Sequence, residues 1–86
     1  MENYTLDQAF HALADPTRRA VIARLVQSPA PVKELAEPFG MGLPAFLKHL
    51  RVLEHSGLIA TEKAGRTRTC RVNITRLEEA ESWLSE

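Results

Sequence analysis

Cysteine is nearly absent from this 86-residue chain. Cys70 stands alone, which excludes an internal disulfide framework and any cysteine-only zinc site within one chain. No apolar run approaches the roughly 18 residues that a membrane span needs. The opening stretch MENYTLDQAF carries acids and lacks the basic segment of a secretory signal. A reducing, cytoplasmic setting is therefore the expectation. Catalytic signatures are missing as well. There is no Gly-rich phosphate loop, no HExxH, and no Ser or Cys in a context that activates a nucleophile. Asp7 and Asp15 read as acids at helix N-termini rather than as an acid–base pair. The chain thus reads as a non-enzyme with no catalytic residue and no cofactor. Net charge is lacking too, with eleven basic against eleven acidic side chains.

What is present, 44% apolar and 26% charged residues, suits a globular fold. The length suits one domain over residues 1–86 with a thin core. The cancelling charges are unevenly placed. Residues 1–42 hold four basic and five acidic side chains. Residues 43–76 hold seven basic (Lys48, Arg51, Lys63, Arg66, Arg68, Arg71, Arg76) against two acidic, a balance of +5. Residues 77–86 hold four acids and no base. A cationic stretch inside a neutral chain marks a surface for a polyanion; the competing explanation is a basic face that is merely solvated.

Thr5-Leu6-Asp7-Gln8 is a capping box, and Leu6, Ala9, Phe10 and Leu13 recur at i, i+3, i+4 and i+7. Together they predict a first amphipathic helix. Asp15-Pro16 opens a second, with Val21, Ile22 and Leu25 on its buried face. Ser28-Pro29-Ala30-Pro31 reads as a stop. A short third helix is expected over residues 32–39, limited by Pro38 and ended by Gly40. A fourth follows the Gly40-Met41-Gly42 turn, over residues 43–55, and Gly57 stops it. The period then changes to two. Residues 58–64 and 67–74 read as a hairpin with Gly65-Arg66 at its tip and Cys70, Val72 and Ile74 on one face. Thr75-Arg76-Leu77-Glu78, a second capping box, opens a last helix with Leu77, Ala80 and Leu84 on one stripe and Trp83 beside it. The expected fold is mainly α, ordered ααααββα, with a two-stranded hairpin.

A three-residue turn between the third and fourth helices is the spacing of a helix-turn-helix, whose second helix is presented to the DNA major groove. The hairpin after it takes the place of a wing. At ~100° per residue, Leu50 and Leu53 fall within about 40° of Phe46 and form the buried face of the fourth helix. Pro44, Leu47, Lys48, Arg51 and His55 lie opposite. Lys48 and Arg51 then reach guanine O6/N7 or phosphate from one groove, and Leu47 meets a thymine methyl. Around the hairpin tip crowd Lys63, Arg66 and Arg68, with Thr67 adding a hydroxyl. Like charges on adjacent strands cost stability, so a phosphate backbone that neutralises them accounts for the cluster better than a solubilising loop does. Double-stranded DNA is the expected partner.

The segments FHALADPTRR (10–19), KELAE (33–37), PAFLKHLRVLE (44–54) and Gly57-Leu58-Ile59 resemble the ArsR/SmtB-type winged helix-turn-helix repressors of bacteria and archaea. The resemblance implies a homodimer whose fourth helices enter successive major grooves of an inverted-repeat operator. It also implies repression that an inducer relieves. The dimer surface is expected on Leu6, Phe10, Leu13, Leu77, Trp83 and Leu84, the alternative for each being the monomer core. Family members often carry Ser at the position of Gly42 and Ser or Thr at that of Leu47. Here the fourth helix loses a side-chain cap and the groove a polar contact.

Metal sensors of that family place a Cys-x-Cys pair in the third helix, or His and acidic ligands along the last. This third helix, VKELAEPF, has neither thiol nor imidazole, and the last, LEEAESWLSE, has acids without histidine. His11, His49, His55 and Cys70 fall on three different elements and no pair has the spacing of a preformed clip, so no metal ligand is assigned. His49 reads as a packing or hydrogen-bonding group and Cys70 as a buried thiol. Two other classes stay open: a metal- or redox-responsive sensor with an unusual site, and a winged helix that binds protein. Neither the operator nor any inducer is legible.

Overall fold

The computed structural model describes residues 4–86. Helix α1 (Leu6–Leu13) starts at a reciprocal cap: Gln8 N–H donates to Thr5 Oγ1 at 3.1 Å and Thr5 N–H to Gln8 Oε1 at 2.9 Å. The chain breaks at Ala14 and restarts as α2 (Pro16–Gln27). Asp15 caps it by accepting the Arg18 N–H at 3.0 Å. The two arginines of this turn reach backwards. Arg18 donates through Nε to the Ala12 carbonyl at 2.7 Å and through Nη2 to that of His11 at 3.2 Å. Arg19 Nη1 donates to the Leu13 carbonyl at 2.8 Å. The last carbonyls of a helix have no partner inside it, so LADPTRR is a corner that caps both helices at once.

Next come β1 (Ala30–Pro31), α3 (Val32–Ala36), a 3-10 turn (Glu37–Phe39), α4 (Leu43–His55), β2 (Ile59–Ala64), β3 (Thr67–Val72) and α5 (Ile74–Ser85). The third helix is shorter than expected because Pro38 has no N–H for the α ladder, so its end tightens to 3-10. Gly40, at φ 65°, then turns the chain. The stretch around Pro29 does more than stop α2. Ala30 lies opposite Cys70 and Pro31 opposite Thr69, so the hairpin belongs to a three-stranded antiparallel sheet ordered β1-β3-β2 rather than standing as two strands. An edge strand tolerates Pro31, and Ala30 is small enough to be buried against the sheet.

Strand β3 ends two residues before the expected limit. Asn73 donates its N–H to the Leu58 carbonyl at 2.8 Å, while its Oδ1 accepts the Arg76 N–H at 3.2 Å. Asn73, not Thr75, therefore caps α5. Ile74, expected on the inward face of the strand, is instead the first residue of the helix and 45% exposed.

The core joins Val21 and Leu25 of α2, Phe46 and Leu53 of α4, Leu58, and Cys70 of β3, all fully buried. Phe39 stacks on Phe46 with ring centroids 5.5 Å apart. Arg76 sits at the edge of this core, only 3% exposed. Its Nε donates to the Ser56 carbonyl at 2.9 Å and its Nη2 to that of Thr5, while its guanidinium lies 5.3 Å from the centre of the Tyr4 ring. It ties α5 to the end of α4 and to the entry of α1. The adjacent Gly57 has φ 80°, and a Cβ there would lie 2.6 Å from the Tyr4 ring.

Candidate nucleic-acid interface

Helix α4 starts at Gly42 with no side-chain cap, as its sequence implied. Phe46, Leu50 and Leu53 face inward, and Pro44, Lys48 and Arg51 are exposed. Leu47 differs from the expectation. It is half-buried, packed against the core, and forms the floor between helix and hairpin. A cleft of about 370 Å³ on one side of it is lined by Arg51, Glu54, Thr61 and Arg68. A second, of about 460 Å³, is lined by Lys33, Leu43, Arg66, Thr67 and Arg68. Leu47 and Arg68 border both, so the two clefts adjoin along the groove between the outward side of α4 and the hairpin.

The seven bases of residues 43–76 divide by environment. Arg76 is the buried clamp described above. Arg71 lies on the other face of the hairpin, with Nη2 4.0 Å from Glu62 Oε2. The remaining five, Lys48, Arg51, Lys63, Arg66 and Arg68, are exposed. Lys63 stands opposite Arg68 in the strand register, two like charges side by side. Arg68 Nη1 donates to Thr61 Oγ1 at 3.1 Å. Sequence reasoning missed Lys33: it is one of four scattered bases in residues 1–42, yet from the exposed side of α3 it lines the same groove as Arg66 and Arg68. Its place at the start of the helix-turn-helix was the available signal.

His49 is held by the α1–α2 corner. Its Nδ1 is 3.1 Å from Arg18 Nη1 and 3.7 Å from Asp15 Oδ2, so the imidazole ties α4 to the cap of α2. The Asp15 carboxyl is held below the usual range, first by the Arg18 backbone N–H and then by the charges of His49 and Arg18. Burial pushes the Cys70 thiol up to about 11, with the Glu54 carboxylate adding to the shift and Arg68 opposing it. Among the described residues no three of His, Cys, Asp and Glu converge on a point that would hold a metal ion. No described helix is long and apolar enough to cross a membrane.

Away from the groove, α1 and α5 share an apolar surface. Leu6, Phe10, Leu13 and Leu77 are half-buried, while Trp83 and Leu84 are 58% and 68% exposed. The Phe10 and Trp83 rings meet edge to face with centroids 5.7 Å apart.

Two helices joined by a tight turn, the second presented beside a basic hairpin, define a winged helix-turn-helix. A family model described as a helix-turn-helix domain matches residues 13–62. The crystal structure of the ArsR family transcriptional regulator RHA00566 is 54% identical, with a TM-score of 0.89 over 93% of this chain and 88% of that one. The HTH-type transcriptional regulator Rv2034 of Mycobacterium tuberculosis is 41% identical over 71 residues, which cover 83% of this chain and 66% of that protein. The transcriptional repressor SdpR of Bacillus subtilis is 27% identical over 79 residues, 92% of this chain and 88% of that one. The chain spans just under two thirds of the Mycobacterium protein's length. It belongs to the ArsR/SmtB family of helix-turn-helix transcriptional regulators, which are DNA-binding proteins and not enzymes.

Proposed function

We propose that residues 1–86 act as one DNA-binding domain, a cytoplasmic, homodimeric repressor that recognises an inverted-repeat operator. Lys48 and Arg51, with Pro44 and Leu47, read the major groove. Lys63, Arg66, Thr67 and Arg68 grip the flanking backbone or minor groove, and Lys33 adds a phosphate contact from α3. The observation that carries this reading is the groove bordered by Leu47 and Arg68, which brings cations from α3, α4 and the hairpin to one side. Base-edge contacts from α4 specify sequence, while the hairpin cations release counterions and supply affinity. Repression follows by analogy with the B. subtilis relative, itself a repressor. Dimerisation through Phe10, Trp83 and Leu84, with Leu6, Leu13 and Leu77 behind them, covers the apolar surface that one copy leaves in solvent.

Selection of bound fragments from a random duplex pool tests this directly. A palindromic consensus with half-sites about one helical turn apart is the expected result. Enrichment without a consensus would reduce the protein to a non-specific DNA binder, and no enrichment would remove duplex DNA as the ligand.

A further inference from the structure

We infer that Glu54 and Thr61 are positioning residues that hold the wing's Arg68 beside helix α4, so that reading helix and hairpin meet DNA as one unit. This rests on the duplex binding proposed above. Arg68 lies in β3 directly opposite Lys63, and that like charge drives the guanidinium away from a defined pose. A long side chain at a hairpin also has many rotamers to choose from. A relay opposes both tendencies. Thr61 Oγ1 donates to Glu54 Oε2 at 2.8 Å, and Arg68 Nη1 donates to Thr61 Oγ1 at 3.1 Å. A hydroxyl has one proton to give. With it directed at the carboxylate, the oxygen presents its lone pairs to the guanidinium, and the two bonds reinforce each other.

The relay crosses three elements, from α4 through β2 to β3. It leaves four of the five guanidinium N–H groups of Arg68 for phosphate oxygens. It also accounts for a carboxylate in a groove otherwise built for a polyanion. Acting alone, Glu54 would repel phosphate; acting through Thr61, it orients a cation towards it.

Thr61→Val is the cleanest test, because it removes the hydroxyl while keeping shape, β-branching and net charge. The operator selected from the random pool serves as ligand, and thermal melts confirm that each variant is folded. Thr61→Val is expected to weaken binding about three- to tenfold, the usual weight of such a bond, while Thr61→Ser stays within about twofold of the wild type. In an Arg68→Ala background, Thr61→Val should have no further effect. Glu54→Leu, which removes the acceptor of the Thr61 proton, should also weaken binding, although removing an acid raises the net charge. In the DNA-free protein the guanidinium Nη signals of Arg68 should sharpen in the wild type and broaden in Thr61→Val. Equal weakening with and without Arg68, or wild-type affinity in Thr61→Val, overturns the inference. Tighter binding of every duplex by Glu54→Leu does so too, since it makes Glu54 a simple repulsive charge. A wild-type chain that binds no duplex overturns the functional reading itself, a result seen before any variant is made.

Discussion

Replacing Arg76 separates charge counted along the sequence from charge that is free to act. Arg76→Met keeps the apolar stem of the side chain and removes the guanidinium. The Ser56 carbonyl then loses its donor, at about 1–3 kcal/mol for a buried acceptor left unmet, whereas the Thr5 carbonyl loses one donor and keeps the Ala9 N–H. The stacking over Tyr4 adds about 0.5–2 kcal/mol. The ion pair to Glu79, at 3.6 Å, is to a partner 58% exposed and contributes little. Retained packing by the methionine offsets part of the loss, so a destabilisation of about 2 kcal/mol is expected. An 86-residue fold has roughly 4–13 kcal/mol in all, so urea denaturation followed by Trp83 fluorescence at fixed protein concentration will show a clear fall in midpoint. Arg76→Lys should lose nearly as much, because one ammonium cannot serve two carbonyls and lie over a ring. In the folded fraction of Arg76→Met, the salt dependence of duplex binding should match the wild type. A loss below about 0.5 kcal/mol in Arg76→Met, within the range of ordinary surface substitutions, would refute the clamp. A salt slope reduced by about one unit in the folded fraction of Arg76→Met would instead place Arg76 on DNA.

Arg51→Ala should cost about 1–3 kcal/mol on the selected operator and relax preference at one position; equal loss on every duplex would make Arg51 a phosphate contact. The Cys70 thiol has a folded pKa of about 11 against an ordinary 9.0. The fold therefore favours the neutral thiol, and that contribution is complete below pH 9 and lost as pH rises towards 11. Melting curves across this range should fall more steeply for the wild type than for Cys70→Ala, and parallel curves would contradict the burial argument. Trp83→Glu combined with Leu84→Glu should shift sedimentation from dimer to monomer and weaken binding to a palindrome more than to a half-site; an unchanged sedimentation coefficient would move the dimer surface elsewhere.

Local signals in this chain were readable because each closes within a few residues. Thr5 with Gln8 and Asp15 with Arg18 are caps at a spacing of three, and Gly65 marks the hairpin tip by itself. The buried and exposed faces of α4 followed from helical period, apart from Leu47, whose partial burial depends on the hairpin folding back beside it. What escaped was set by partners distant in sequence. Ala30–Pro31 becomes a strand only because β3 arrives at residues 69 and 70. Asn73 outcompetes Thr75 as a cap because the Leu58 carbonyl fixes its backbone. Arg76 belongs to the core because Thr5, Ser56 and Tyr4 converge on it. Likewise Lys33 joins the groove only once α3 packs beside the hairpin. The Glu54–Thr61–Arg68 relay needs the same closure. Periodicity assigns a face to each element, but not which faces become neighbours.

Cations from α4 and the hairpin that act together on one polyanion release its counterions, and the salt dependence of duplex binding measures that joint release. Between 50 and 200 mM salt, log affinity for the selected operator should fall linearly with log salt, with a slope of several units, and Arg66→Ala should lower that slope by about one. A flat response in the wild type, or an unchanged slope in Arg66→Ala, would contradict that joint release.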